Sequence, residues 1–276
     1  MGTALVTGAS SGLGLEFAWQ LAAARHDLVL VARRGPVLEE IAEELRQAAG
    51  VRVEVLPADL ARRDGVDAVA ERLRTAEAPV GLLVNNAGFG LGQGFVGGDL
   101  AREEEALDVL VRAVLVLSHA AAPAMVARGH GAILNVSSVA SHTLMGTYAA
   151  HKAWVRSFTE ALAAELRTTP VTATVLMPGL VRTGFHAASG LKAETWPEFG
   201  WLRAEDVVTA ALAAVRRGDV LCTPSLMYKT ANAALRLAPR WLVRSATGPG
   251  LSARAILDRS PHDQRHPPRP PRSPGA

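Results

Sequence analysis

The stretch "TALVTGASSGLG", residues 3–14, decides the fold. Its first five residues read as a short apolar strand, and a helical pattern opens where the glycines end. Gly8 permits a tight turn, Gly12 lets the backbone approach a diphosphate, and Gly14 lets helix and strand pack closely. Free N–H groups and the dipole at the start of the following helix favour the same anion. The turn therefore reads as a dinucleotide cradle, with Ser10, Ser11 and Leu13 as further contacts. Its G-x-x-x-G-x-G spacing differs from the commoner G-x-G-x-x-G fingerprint.

Outward from this turn, short apolar runs alternate with longer amphipathic ones. "DLVLVA", "VRVEVL", "GLLVN", "AILNVS", "VTATVLM" and "DVLCT" read as strands, and residues 36–49, 64–77, 101–128, 147–168 and 204–217 read as helices. Near-continuous apolar strands between helices predict an α/β fold, a parallel sheet covered on both faces. Right-handed crossovers leave the doubly wound, Rossmann-type sheet as the leading topology, in one domain over 1–223. Residues 224–257 mix Trp241, Leu242 and Ile256 with Arg236, Arg240, Arg244 and Arg254, which predicts an amphipathic helical extension. Its apolar face can pack on the body, on a second subunit, or on a membrane surface as a peripheral contact. Residues 258–276 hold six prolines and almost nothing apolar, the composition of a disordered tail.

The end of the second strand bears on the choice of dinucleotide. An acid there would hold the ribose hydroxyls of NAD, whereas an arginine accommodates the 2′-phosphate of NADP. "DLVLVA" runs into Arg33 and Arg34, and the nearby acid, Asp27, sits at the other end of the strand. Two guanidiniums suit a phosphate dianion, so NADP(H) is favoured over NAD(H).

Charge argues against a nucleic-acid partner. Four arginines and two aspartates in residues 258–276 supply +2 of the chain's net +3, which leaves a nearly neutral body without a basic stripe. The single cysteine, Cys222, rules out an internal disulfide. With no signal-peptide pattern and no run of about 20 uninterrupted apolar residues, it suggests a cytoplasmic address.

"TGASSGLG" at 7–14, "ADL" at 58–60, "NNAG" at 85–88, "NVSS" at 135–138, "YAAHK" at 148–152 and "PGLVRT" at 178–183 occur in an order that resembles the short-chain dehydrogenase/reductase family. The resemblance covers residues 3 to about 223. It implies Asp59 on the adenine amino group with Leu60 beside it, and Asn86, Ala87 and Gly88 lining the cofactor. Val181 and Thr183 would meet the nicotinamide carboxamide. It also implies a homodimer or homotetramer, since relatives often pair through two neighbouring helices.

Tyr148 and Lys152, four apart, share one helix face. A free phenol is a poor base at neutral pH, but a neighbouring ammonium and an oxidised nicotinamide both favour its anion. By the resemblance, Tyr148 is the general acid/base and Lys152 holds the nicotinamide ribose. A serine at the end of the fifth strand, Ser138 by preference, binds the substrate oxygen. His142 and His186 are weaker candidates near the substrate, and His151 faces elsewhere.

Two positions depart from the family pattern. Ser138 precedes Tyr148 by only ten residues, fewer than in most relatives, so Ser137 or Ser141 could replace it. Leu110 falls where the family usually carries an asparagine that supports a water chain, and leucine cannot hold a water. A nucleotide-binding relative without turnover is therefore the alternative to an active enzyme. Trp196, Phe199 and Trp201, with Leu144, Met145 and Trp154, predict an apolar substrate pocket, hence a lipophilic ketone or secondary alcohol.

Overall fold

The computed structural model describes residues 2–183 and 198–247. Among these, strands β1 (Thr3–Thr7), β2 (Asp27–Ala32), β3 (Val53–Pro57), β4 (Val80–Asn85), β5 (Gly131–Val136) and β6 (Val171–Leu176) join a seventh, Leu221–Cys222, in one sheet. The order is β3-β2-β1-β4-β5-β6 and then Leu221–Cys222, and every pairing is parallel. The chain order reverses between β1 and β4. Ligands of doubly wound sheets bind beyond the carboxyl ends of the strands at that switch point. Here it carries the Gly8–Gly14 turn and Asn86–Gly88.

Strand periodicity sets the layers. Ala4 and Val6 of β1 face one core with Phe17 and Leu21 of α1 (Gly12–Ala23), Leu38 of α2 (Gly35–Ala49), and Val207. Leu5 faces the opposite core with Val66 and Val69 of α3 (Arg63–Arg74) and Leu117 and Met125 of the long helix. That helix has three pieces: α4 (Leu100–Leu107), a π turn over Asp108–Arg112, and α5 (Ala113–Arg128). By length and composition it could cross a membrane, yet Leu117 and Met125 are fully buried against the sheet. It serves as a core helix.

Helix α6 (Gly146–Leu166) follows β5 and a short turn, Val139–His142. After β6 come β7 (Leu180–Val181) and β8 (Trp201–Leu202), a two-residue parallel pair that sequence pattern did not announce. Next are α7 (Ala204–Arg217), the edge strand β9 (Leu221–Cys222), α8 (Leu226–Leu237) and α9 (Arg240–Thr247). The expected strand "DVLCT" shrinks to two residues because only Val175 and Leu176 face it in register. The expected disordered tail lies outside the described residues, as do His186 and Trp196. The Phe199 side chain is not described either.

Candidate active site

The first turn of the cradle is set by close packing. A Cβ on Gly14 would lie 2.1 Å from the Gly8 carbonyl oxygen, so any side chain there would push α1 off β1. Ser11 precedes α1 without capping it through its side chain, which leaves first-turn N–H groups for an anion. Ser10 and Leu13 are half-buried in the same turn. Thr7, which sequence reasoning passed over, stitches the turn to β4. Its hydroxyl accepts from the Asn86 and Ala87 backbone N–H groups, both at 3.0 Å, and the Asn86 amide donates to the Thr7 carbonyl at 2.9 Å. Thr183 comes within 3.4 Å of where a Gly12 Cβ would be, so the "PGLVRT" segment meets the glycine turn across the crevice.

The other expected contacts lie along the same carboxyl edge. Arg33 and Arg34 are exposed at the end of β2. Arg33 lies 3.6 Å from the Glu105 carboxylate, and Arg34 makes no ion pair among the described residues. Asp27 is held at the amino end by hydrogen bonds from Arg52, which keep its carboxyl below the usual range. Asp59 accepts from the Ala61 N–H at 3.0 Å. Leu60 and Val181 are buried in the two cores, so any contact they make with a ligand is through backbone.

The three candidate serines separate cleanly. The Ser137 hydroxyl donates to the Lys152 carbonyl at 2.7 Å, which locks β5 to α6. Ser141 is buried, and its hydroxyl oxygen has no partner among the described residues. Ser138 is the one hydrogen-bonded to the Tyr148 phenol. It also accepts from the Ala140 N–H at 3.1 Å, and this contact holds the tight turn. The shortened loop still brings Ser138 opposite Tyr148.

Lys152 is buried, its ammonium 5.8 Å from the Tyr148 ring centroid and donating to the Val136 carbonyl at 2.7 Å. Burial lowers its pKa to about 8. The expectation that this ammonium drives Tyr148 toward its anion needs correction. In the protein alone, burial pushes the phenol well above its usual value, and only the bond with Ser138 opposes that. Any lowering must await a bound positive charge.

Leu110 is fully buried, packed with Leu91 and Ala106 beside Tyr148. A Cβ on Gly88 would sit 2.7 Å from its Cδ2 and 3.6 Å from the Lys152 ammonium. An apolar wedge thus stands next to Lys152, at the π turn. Sequence reasoning also missed Glu103. This buried carboxylate accepts from Thr147 at 2.7 Å and Gln93 at 3.0 Å, fixing the first turn of α6 beside Tyr148. A second buried chain runs from Asn85 to Asn135 at 2.9 Å and from Asn135 to Thr159 at 3.0 Å, tying β4, β5 and α6 together. The only hint of it in the sequence was a polar residue near the end of two apolar strands.

Comparison with known proteins places this arrangement among relatives. The profile of the family described as short chain dehydrogenase matches residues 2–193. Sulfoacetaldehyde reductase 2 of Chromohalobacter salexigens is 37% identical over 241 residues, spanning 79% of this chain and 93% of that protein. A short-chain dehydrogenase from Sphingobium yanoikuyae, solved with NADPH, superposes with a TM-score of 0.79 at 33% identity, over 96% of this chain and 98% of that one. The bulky-bulky ketone specific alcohol dehydrogenase of Comamonas testosteroni superposes with a TM-score of 0.74 at 28% identity, over 97% of both chains.

Proposed function

The chain belongs to the short-chain dehydrogenase family and is an NAD(P)-dependent oxidoreductase, and from that premise we propose that it reduces lipophilic ketones with NADPH, Tyr148 serving as the acid. One observation carries this reading. Ser138 and Lys152 converge on Tyr148 just past the carboxyl end of β5.

The residues present fit the dinucleotide. The uncapped start of α1, with Gly8, Ser10, Ser11, Gly12, Leu13 and Gly14, would hold the diphosphate. Arg33 and Arg34 would take the 2′-phosphate, and Asp59 with the Leu60 backbone the adenine. Asn86, Ala87 and Gly88 would line the middle, Lys152 the nicotinamide ribose, and Val181 and Thr183 the carboxamide. When bound, the nicotinamide supplies the hydride. The preference for NADP(H) rests on the two exposed arginines and on the NADPH bound by the Sphingobium protein.

Burial keeps Tyr148 protonated, and this suits donation of its proton to a carbonyl oxygen. Ser138 would hydrogen-bond the same oxygen and orient it. Ser138 also hydrogen-bonds the phenolate left behind, the one contact in the protein alone that favours it. Leu110 excludes a water from the usual asparagine position, so proton resupply to Lys152 must take a different path. The reading as a binder without turnover is less favoured, since the full Ser–Tyr–Lys set is retained and the named relatives are reductases and dehydrogenases. The lipophilic substrate rests on Leu144 and Met145 near the site and on likeness to the bulky-ketone enzyme.

The test is NADPH oxidation across a panel of hydrophobic ketones. Tyr148→Phe should lose about 10²-fold or more in turnover while still binding NADPH. Undiminished turnover in that variant would remove the assignment.

Two partner surfaces belong to the same reading. Leu226, Leu237 and Trp241 are 77%, 84% and 68% exposed on α8 and α9. Lys229, Arg236 and Arg244 make no ion pair among the described residues, and residues 220–257 contain no acid. This combination supports a peripheral contact with anionic lipid. Flotation with phosphatidylserine-containing vesicles should carry the wild type and leave Leu237→Glu/Trp241→Glu behind. Pairing of two copies is supported by exposed Leu107, Leu115 and Val126 on the long helix. Light scattering that finds only monomers at every concentration would overturn it.

A further inference from the structure

Tyr228 stands on α8, beyond the sheet and outside every motif, yet it touches the strand expected to meet the nicotinamide. Its hydroxyl accepts from the Leu180 N–H at 3.1 Å and donates to the Gly200 carbonyl at 2.7 Å. Its ring lies flush on Gly179, where an added Cβ would sit 2.1 Å from two ring carbons. One side chain therefore joins the residue that opens β7 to the residue just before β8.

The surrounding contacts converge on the same point. β7 and β8 pair only through Leu180 with Trp201 and Val181 with Leu202. The Arg182 N–H donates to the Leu202 carbonyl at 3.0 Å, and the Arg182 guanidinium pairs with Glu198 and lies 5.7 Å from the Trp201 ring centroid. A two-residue ladder cannot hold register by itself. Two hydrogen bonds from a half-buried phenol, anchored by a helix, supply what the ladder lacks.

We propose that Tyr228 is a positioning residue: it fixes Leu180–Thr183 so that Val181 and Thr183 present their backbone to the nicotinamide half of the cofactor, and it makes α8 part of the active-site scaffold. This rests on the reading that a dinucleotide occupies the crevice with its nicotinamide against residues 181–183. In that reading the adenosine half would lie against Asp59 and Arg34, just past the ends of β3 and β2, where Tyr228 makes no hydrogen bond. Its influence should therefore be confined to one end of the cofactor.

The experiment compares affinity for NADPH with affinity for 2′,5′-ADP, a fragment without nicotinamide, in wild type and Tyr228→Phe. The variant keeps the ring on Gly179 and removes only the hydroxyl. NADPH should bind about tenfold more weakly, the KM for ketone should rise, and 2′,5′-ADP should bind as before. Gly179→Ala, whose methyl must displace the ring, should reproduce the pattern. An unchanged ratio of the two affinities, or equal weakening of both, overturns the positioning role while leaving the cofactor reading intact. Failure of the wild type to bind either molecule would instead defeat the cofactor reading.

Discussion

Lys152 sits in a setting well out of line with its ordinary chemistry. Burial penalises its charged form and brings its pKa to about 8, from 10.5. Above pH 8 the folded side chain loses its proton while the unfolded one keeps it, so the cofactor-free protein should gain stability as pH rises from 8 to 9. Beyond that window Cys222 and Tyr148, both raised by burial, enter with the opposite sign. Thermal melts across pH 7–9 should show the gain in wild type and lose it in Lys152→Met. NADPH, an anion, should bind best below pH 8 and weaken above it, again only where the amine is present. Leu110 makes a second residue-level claim. It fills space between Leu91, Ala106 and Gly88, and truncation would leave a cavity there, so Leu110→Ala should cost about 2–5 kcal/mol in denaturant unfolding.

Among the elements, the long helix reconciles two demands. It must cover the sheet with an apolar face and also pass beside Lys152. The π turn at Asp108–Arg112 shifts its register where it reaches the site. A periodicity reading sees one helix over 101–128 and misses the shift, because α5 is apolar nearly all round and has no narrow stripe whose phase would jump. At the start of α2, Arg34 pairs with no carboxylate among the described residues, whereas Arg33 lies near Glu105, so in the proposed reading Arg34 would be the freer partner for a 2′-phosphate. Arg34→Ala should therefore weaken NADPH more than Arg33→Ala does, and neither should change NADH affinity. Fluorescence titration of both nucleotides measures the difference.

Taken as a whole molecule, the switch point between β1 and β4 gathers the glycine turn, Asn86–Gly88, Ser138, Tyr148 and Lys152 on one edge, although they span more than half of the described chain. α8 packs against the serine-bearing turn and holds β7, so the segment past the sheet is tied to the site from two sides. Acids placed on its outer face, Leu237→Glu/Trp241→Glu, should leave NADPH affinity within twofold of wild type, because Tyr228 and Asn232 face inward. A large loss would mean that the outer face also shapes the site.

The sequence by itself determined the layered α/β fold with a doubly wound sheet, the glycine turn and the Tyr148–Lys152 pair. These are encoded by neighbours a few residues apart, through periodicity, backbone freedom and helix spacing. Only the tertiary structure decided which of three serines meets Tyr148, that burial raises rather than lowers its pKa, and that Glu103 and Tyr228 brace the site. Those outcomes depend on contacts between residues up to 48 apart along the chain and on the low polarizability of a closed core. No local pattern carries that information, because desolvation and long-range hydrogen bonds exist only once the layers have come together.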